Sequence, residues 1–427
     1  MAGMFGRLLV LLGLLATGPA SAQAKDDPLA MRADQLVALF NGGADVDALF
    51  SPAFLAQVPK AQVVAISEQL GAQFGKALAV EGVAAKGPRA GAVTLGFERG
   101  TLTLDLAVAA APPHRIEGLV VTGSALKGDT LAKVAQEIWG LPGEASLAVA
   151  RLDGTGPPAF SISHKSAQSM AVGSTFKTFI LAELARQITA GTRKWSDVVT
   201  LDRRSLPSGL LQDWPPGSPL TLHTLAALMI ARSDNTATDM LLHTLGREKI
   251  EALLPTLGVK APERNRPFLS TLEAFALKTG DPAFLKRWTD ADQAGRRALL
   301  ASDVSRIAAG SIDLGKVAAG PSAIDTVEWF ASTEDLVRTM DWLRRNAGEA
   351  ALDILAINDG IGAAAARDFA YLGYKGGSEP GVISMTFLVR TKAGRWSAVS
   401  GSWNDKAAKL DEAKFVALMT RAVALLR

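Results

Sequence analysis

The sequence predicts an α+β chain of two folded units: a small amino-terminal one in which helices precede strands, and a larger one with strands at both ends around a helical middle. Three observations carry this. At 427 residues, 48% hydrophobic and 20% charged, the chain is long enough and apolar enough to bury two cores. Apolar residues recur at helical spacing over 31–40 and 59–74, followed by strand-like alternation over 91–98 and 101–107. Strand-like runs at 145–152 and 159–164 then reappear only far downstream, at 368–375, 383–391 and 396–403.

The first element is a leader. Arg7 supplies a positive start and Leu8 to Leu15 an apolar run too short to span a bilayer. Ala20-Ser21-Ala22 or Ala22-Gln23-Ala24 then provides a small-residue cleavage pattern. Residues 1–24 are expected to be a cleaved signal peptide, leaving a periplasmic or secreted chain with no membrane span. The chain contains no cysteine, so an oxidising compartment does not threaten it, and neither disulfides nor thiol catalysis are available. The net charge is +3, with Lys and Arg dispersed and no interleaved aromatics, which argues against nucleic acid as a partner.

Residues 25–125 form the first unit. Its strands at 91–98 and 101–107 are joined through Arg99-Gly100, and 116–121 adds another. In this order of elements, helices and then a curved antiparallel sheet, the segment resembles the NTF2-like cone fold. It holds His114 beside two prolines and no paired carboxylates in an apolar setting, so it reads as a binding or assembly module whose partner is unknown.

Residues 127–427 form the second unit. A helix over 131–139 precedes the first strand pair, another follows Gly173, and an apolar-striped helix over 410–426 closes the chain. Strands from both ends are expected to make one antiparallel sheet with the helices packed against it.

Three strings in this unit carry chemistry. Ser174-Thr175-Phe176-Lys177 opens a helix over 174–190, where free N–H groups favour developing negative charge and Lys177, one turn on, can approach the Ser174 hydroxyl. A desolvated, neutral Lys177 amine can take the hydroxyl proton. Ser233-Asp234-Asn235 interrupts two helical runs. A turn there can present the Ser233 hydroxyl as a proton relay and the Asn235 amide to hold a substrate amide, with Asp234 left a structural, capping role. Lys375-Gly376-Gly377-Ser378 ends a strand: Lys375 adds positive charge, Gly377 lets a ligand approach the backbone, and the Ser378 N–H can donate to an oxyanion alongside that of Ser174. The four histidines, His114, His164, His223 and His243, have no metal-ligand spacing and there is no Gly-x-Ser-x-Gly elbow, so neither a metal nor any other cofactor is expected.

Together the strings resemble the Ser-x-x-Lys, Ser-Asp-Asn and Lys-Thr-Gly set of the penicillin-recognising serine hydrolases, with class A β-lactamases nearest. The resemblance covers residues 127–427. It implies the β-lactamase/transpeptidase-like fold, an antiparallel sheet with helices on both sides and a helical subdomain, and a small-molecule amide or ester substrate of the β-lactam class.

The sequence departs from the family pattern twice. The stretch from Ser233 to Lys375 is longer by roughly forty residues, placed in 264–321, where the family carries the glutamate that activates the deacylating water. Glu273 is the expected stand-in, with Glu263 next, although Glu273 also suits a helix cap. Gly376 stands where the family has Thr or Ser, removing a hydroxyl that binds the β-lactam carboxylate. Three functions therefore remain open: a β-lactamase-like hydrolase, an esterase or D-alanyl peptidase using the same acylation machinery, and a non-enzymatic acylated receptor or binding protein.

Overall fold

Residues 27–303 and 312–427 are described in the computed structural model. The leader expected over 1–24 lies outside the described residues. The chain divides into two units, Met1–Lys127 and Gly128–Arg427.

In the first unit Asp27 caps α1 (Pro28–Phe40), its carboxylate accepting from the Leu29 N–H at 2.9 Å, with Pro28 at the first position where a missing N–H costs nothing. The short α2 (Val46–Leu49) and α3 (Pro52–Gln57) lead to α4 (Lys60–Phe74). The strands β1 (Ala77–Gly87), β2 (Ala90–Phe97), β3 (Gly100–Val108) and β4 (Ile116–Leu126) then form an antiparallel meander. Alternation works as expected in β2 and β3: Val93, Leu95, Leu102, Leu104 and Leu106 meet Leu36 of α1 and Phe74 of α4 in one core. The sequence reading did not mark β1. It is rich in Ala and Gly and exposed along most of its length, so no alternation announces it.

In the second unit α5 (Leu131–Trp139) precedes β5 (Glu144–Arg151), β6 (Ala159–His164) and the short β7 (Met170–Ala171). The helical middle contains α6 (Lys177–Thr189), a small ribbon of β8 (Val198–Thr200) and β9 (Pro219–Thr221), and then α7 (Leu222–Ala231), α8 (Asn235–Leu245) and α9 (Arg247–Leu253). The long insertion expected over 264–321 is helical where described: α10 (Thr271–Thr279), α11 (Pro282–Asp290), α12 (Gln293–Ser302) and α13 (Leu314–Ala319). It is not a surface appendage, because Phe284, Trp288 and Leu300 join the same core as α6 and α8.

The chain returns through β10 (Phe330–Ala331), α14 (Thr333–Asn346), α15 (Glu349–Ala356) and α16 (Ala363–Ala366). It finishes with β11 (Phe369–Glu379), β12 (Val382–Thr391), β13 (Trp396–Asn404) and α17 (Glu412–Ala424). The main sheet runs β11-β12-β13-β5-β6, all antiparallel, so both ends of the unit pair as expected, with β13 against β5. One face packs on α5 and α17 through Val149, Phe387, Val399 and Phe415. The other packs on α6 and α14 through Ala148, Leu388 and Ala398. This is the β-lactamase/transpeptidase-like arrangement. Among the described residues no helix is long and apolar enough to cross a membrane.

Candidate active site

β7 pairs with β10 and delivers the chain to Gly173, whose φ of 48° lies in the left-handed region that favours glycine. A single 3-10 turn, Gly173–Phe176, follows and carries Ser174. The α-helix itself begins at Lys177, so Ser174 sits just ahead of the helix the sequence places it in. Phe176 anchors this turn by stacking on Trp329, 3.8 Å between ring centroids at 11°.

β11 runs against the turn at backbone contact. A Cβ on Gly377 would overlap the Ser174 nitrogen and lie 2.6 Å from the Thr175 nitrogen, and one on Gly173 would lie 3.3 Å from the Ser378 nitrogen. Glycine at 377 is therefore required by packing, and it brings the Ser378 backbone beside Ser174.

α6 is buried on nearly all sides, and this takes Lys177 out of water completely. Its Nζ donates to the Ser233 carbonyl at 2.6 Å and the Asn235 Oδ1 at 2.8 Å, and lies 3.1 Å from the Ser233 Oγ. Desolvation, reinforced by the neighbouring Lys375, drives its pKa well below the ordinary lysine value. None of its hydrogen bonds goes to Ser174, whose hydroxyl is unbonded among the described residues.

Ser233 occupies the turn between α7 and α8 with φ of 52°, an uncommon conformation for a residue with a side chain. Its hydroxyl lies 3.1 Å from both Lys177 Nζ and Lys375 Nζ, joining the two amines. The turn is held by Asp234, which caps α8 through the Ala237 N–H at 2.8 Å and accepts the Leu210 and Leu211 N–H groups, confirming its structural part. Lys375, also buried, reaches the Gly376 carbonyl as well, and burial lowers its pKa to about 7.

These residues meet at one cavity of about 440 Å³, lined by Ser174, Ser233, Asn235, Lys375, Gly377 and Ser378, with Lys177 beneath its wall. Asn235 lines the cavity: its amide oxygen accepts from Lys177 at 2.8 Å and its nitrogen gives one of its two hydrogens to the Leu206 carbonyl at 3.2 Å, so the side chain positions the lysine and keeps a second N–H.

Glu273 is a correction. Its carboxylate is bound by the Arg247 guanidinium at 2.7 and 2.9 Å and closes a capping box on Ser270, which holds it below the usual carboxylate range despite burial. It does not line the cavity, and neither does Glu263. The capping-box spacing at Ser270 decided its place.

Three carboxylates that sequence reading did not single out do line the cavity: Glu328, just before β10, Glu379, at the end of β11, and Glu412, at the start of α17. The first two form a cluster. Lys278 of α10 binds both, Glu328 at 2.6 Å. Desolvation and the adjacent Glu328 raise the Glu379 pKa well above normal. No local motif marks them, since Lys278 and Glu379 are 101 positions apart.

No curated protein matches the chain. Among solved structures, similarity is found to a β-lactamase from Sphaerobacter thermophilus, 18% identical, covering 68% of this chain and 94% of that one, with a TM-score of 0.47. PBP-A is 18% identical over 69% of this chain and 94% of its own, with a TM-score of 0.46. A β-lactamase from Chitinophaga pinensis is 15% identical over 69% and 97%, with a TM-score of 0.45. The family model described as the β-lactamase enzyme family matches residues 130–356, more than half of the chain and inclusive of Ser174, Lys177 and Ser233. On that match the chain belongs to the β-lactamase enzyme family, as a hydrolase of the β-lactamase type.

Proposed function

We propose that the second unit opens a β-lactam or related amide through an acyl-enzyme on Ser174 and releases the product by hydrolysis. The observation that carries this reading is the hydrogen-bonded series Lys177–Ser233–Lys375 at the wall of the cavity that Ser174 lines. Buried and neutral, Lys177 accepts the Ser174 hydroxyl proton as Oγ bonds to the carbonyl carbon. The carbonyl oxygen takes up the negative charge beside the Ser174 and Ser378 N–H groups. As the C–N bond breaks, Ser233 gives its proton to the leaving nitrogen and is reprotonated by the Lys177 ammonium.

Deacylation needs a second base. Glu328 and Glu379, held side by side on Lys278 at the cavity wall, are the carboxylates placed to take a proton from water as its oxygen bonds to the acyl carbon. The C–Oγ bond then breaks and the proton returns to Ser174. Export through residues 1–24 belongs to the same reading, and cell fractionation checks it.

The test is intact-protein mass spectrometry after exposure to benzylpenicillin, with turnover of a chromogenic cephalosporin measured in parallel. A penicilloyl adduct on the native chain, absent from Ser174→Ala, with repeated turnover is the expected result. An adduct of equal yield in both proteins removes Ser174 from its role, and a single equivalent of product points to the receptor alternative.

A further inference from the structure

Gly376 leaves the strand without the hydroxyl that its position is expected to bear, and the structure fills that space from elsewhere. A Cβ built on Gly376 would overlap the hydroxyl oxygen of Tyr374 and lie 2.7 Å from its Cζ. Residues two apart on a strand share a face, so the Tyr374 ring leans along β11 and sets its phenol over Gly376. Glycine there is a packing requirement, not a vacancy: any side chain would strike the phenol.

The ring has no freedom to lie elsewhere. It stacks on Phe387 of β12 at 4.7 Å between centroids, and on its other side a Cβ at Gly360 would come within 2.6 Å of the ring atoms. Gly360 has φ of 68°, so its loop can close on the ring only as glycine. The same loop is tied to the end of α7 by Asn358, whose amide donates to the Ala231 carbonyl at 3.3 Å.

The hydroxyl is the polar end of an otherwise packed side chain. Among the described residues it has no hydrogen-bond partner, whereas the other tyrosine, Tyr371, donates to the Leu352 carbonyl at 2.8 Å. Tyr374 lines the cavity together with Ser174, Lys375 and Gly376. Burial raises its pKa to about 12, so at neutral pH the phenol keeps its proton and is a donor.

We propose that the Tyr374 hydroxyl replaces the hydroxyl absent at position 376 and, with Lys375, binds the carboxylate of an anionic substrate presented to Ser174. The inference rests on the acyl-enzyme reading above. It makes Tyr374 a specificity-determining residue: a substrate lacking the carboxylate gains nothing from it.

The test compares acylation of the full chain by benzylpenicillin, which bears a carboxylate, and by p-nitrophenyl acetate, which does not. Tyr374→Phe keeps the ring stack and is expected to lower the second-order acylation rate for benzylpenicillin about tenfold or more, with the acetate rate unchanged. The double variant Tyr374→Leu with Gly376→Thr removes the obstructing ring and returns a hydroxyl to the strand, and is expected to recover the penicillin rate relative to Tyr374→Leu alone. An unchanged ratio of the two rates in Tyr374→Phe, or no recovery in a double variant that melts like the native protein, overturns the assignment while leaving the acyl-enzyme intact. If the native chain is acylated by neither probe, the acyl-enzyme reading fails first and this inference goes with it.

Discussion

Lys375 should make the enzyme choose among substrates according to pH. Its pKa of about 7 arises from burial, since Ser233 and the Gly376 carbonyl are its hydrogen-bond partners and neither carries charge. With that value the amine is about nine-tenths ammonium at pH 6 and about one-tenth at pH 8. If the ammonium is what attracts a substrate carboxylate, kcat/KM for benzylpenicillin falls about tenfold over this range relative to an uncharged ester. The assay is the ratio of the two kcat/KM values from pH 5.5 to 9, in which any common loss from Lys177 at acid pH cancels. Lys375→Met should give a flat ratio. A native ratio that is also flat, or one that rises with pH, refutes the account.

The same burial has a consequence for stability. The unfolded chain keeps a lysine of the ordinary value, 10.5, so between about 7 and 10.5 it binds a proton that the folded chain has lost, and stability rises with pH across that window. Lys375→Met should therefore raise stability by about 1–4 kcal/mol near pH 6, less whatever its hydrogen bonds contribute, as read by urea denaturation. Glu273→Gln leaves the Arg247 guanidinium without its buried partner and should cost about 3–5 kcal/mol, yet change turnover per folded molecule little. A large loss of deacylation with stability intact would return Glu273 to the chemistry. Glu379→Gln should do the reverse, with stability little lowered and deacylation slowed about a hundredfold or more, so that the penicilloyl adduct persists in a mass time course. Phe176→Ala deletes the stack on Trp329 and should cost about 3–5 kcal/mol in thermal or urea unfolding.

The order of the three strings, the two-unit division and most strands were legible because they depend on local signals. Alternation in β2, β3 and β12, a glycine before the Ser174 turn and the interruption at Ser233 all act over a few residues. The β1 strand was missed for the complementary reason, since an exposed Ala- and Gly-rich strand has no apolar face to display. Glu273 shows how a local signal competes with a family expectation: its spacing to Ser270 already specified a capping box, and Arg247 completed the environment from 26 positions away.

What only the tertiary structure decided is which distant side chains share water-poor space. Lys278, Glu328 and Glu379 come from a helix, a loop and a strand end, and the Glu379 pKa is raised because folding removes them together from solvent. Gly376 read alone is a lost hydroxyl. Set beneath the Tyr374 phenol it becomes the space that phenol needs, because side-chain volume is exclusive and the position of a ring depends on Phe387 and Gly360 as much as on its own strand.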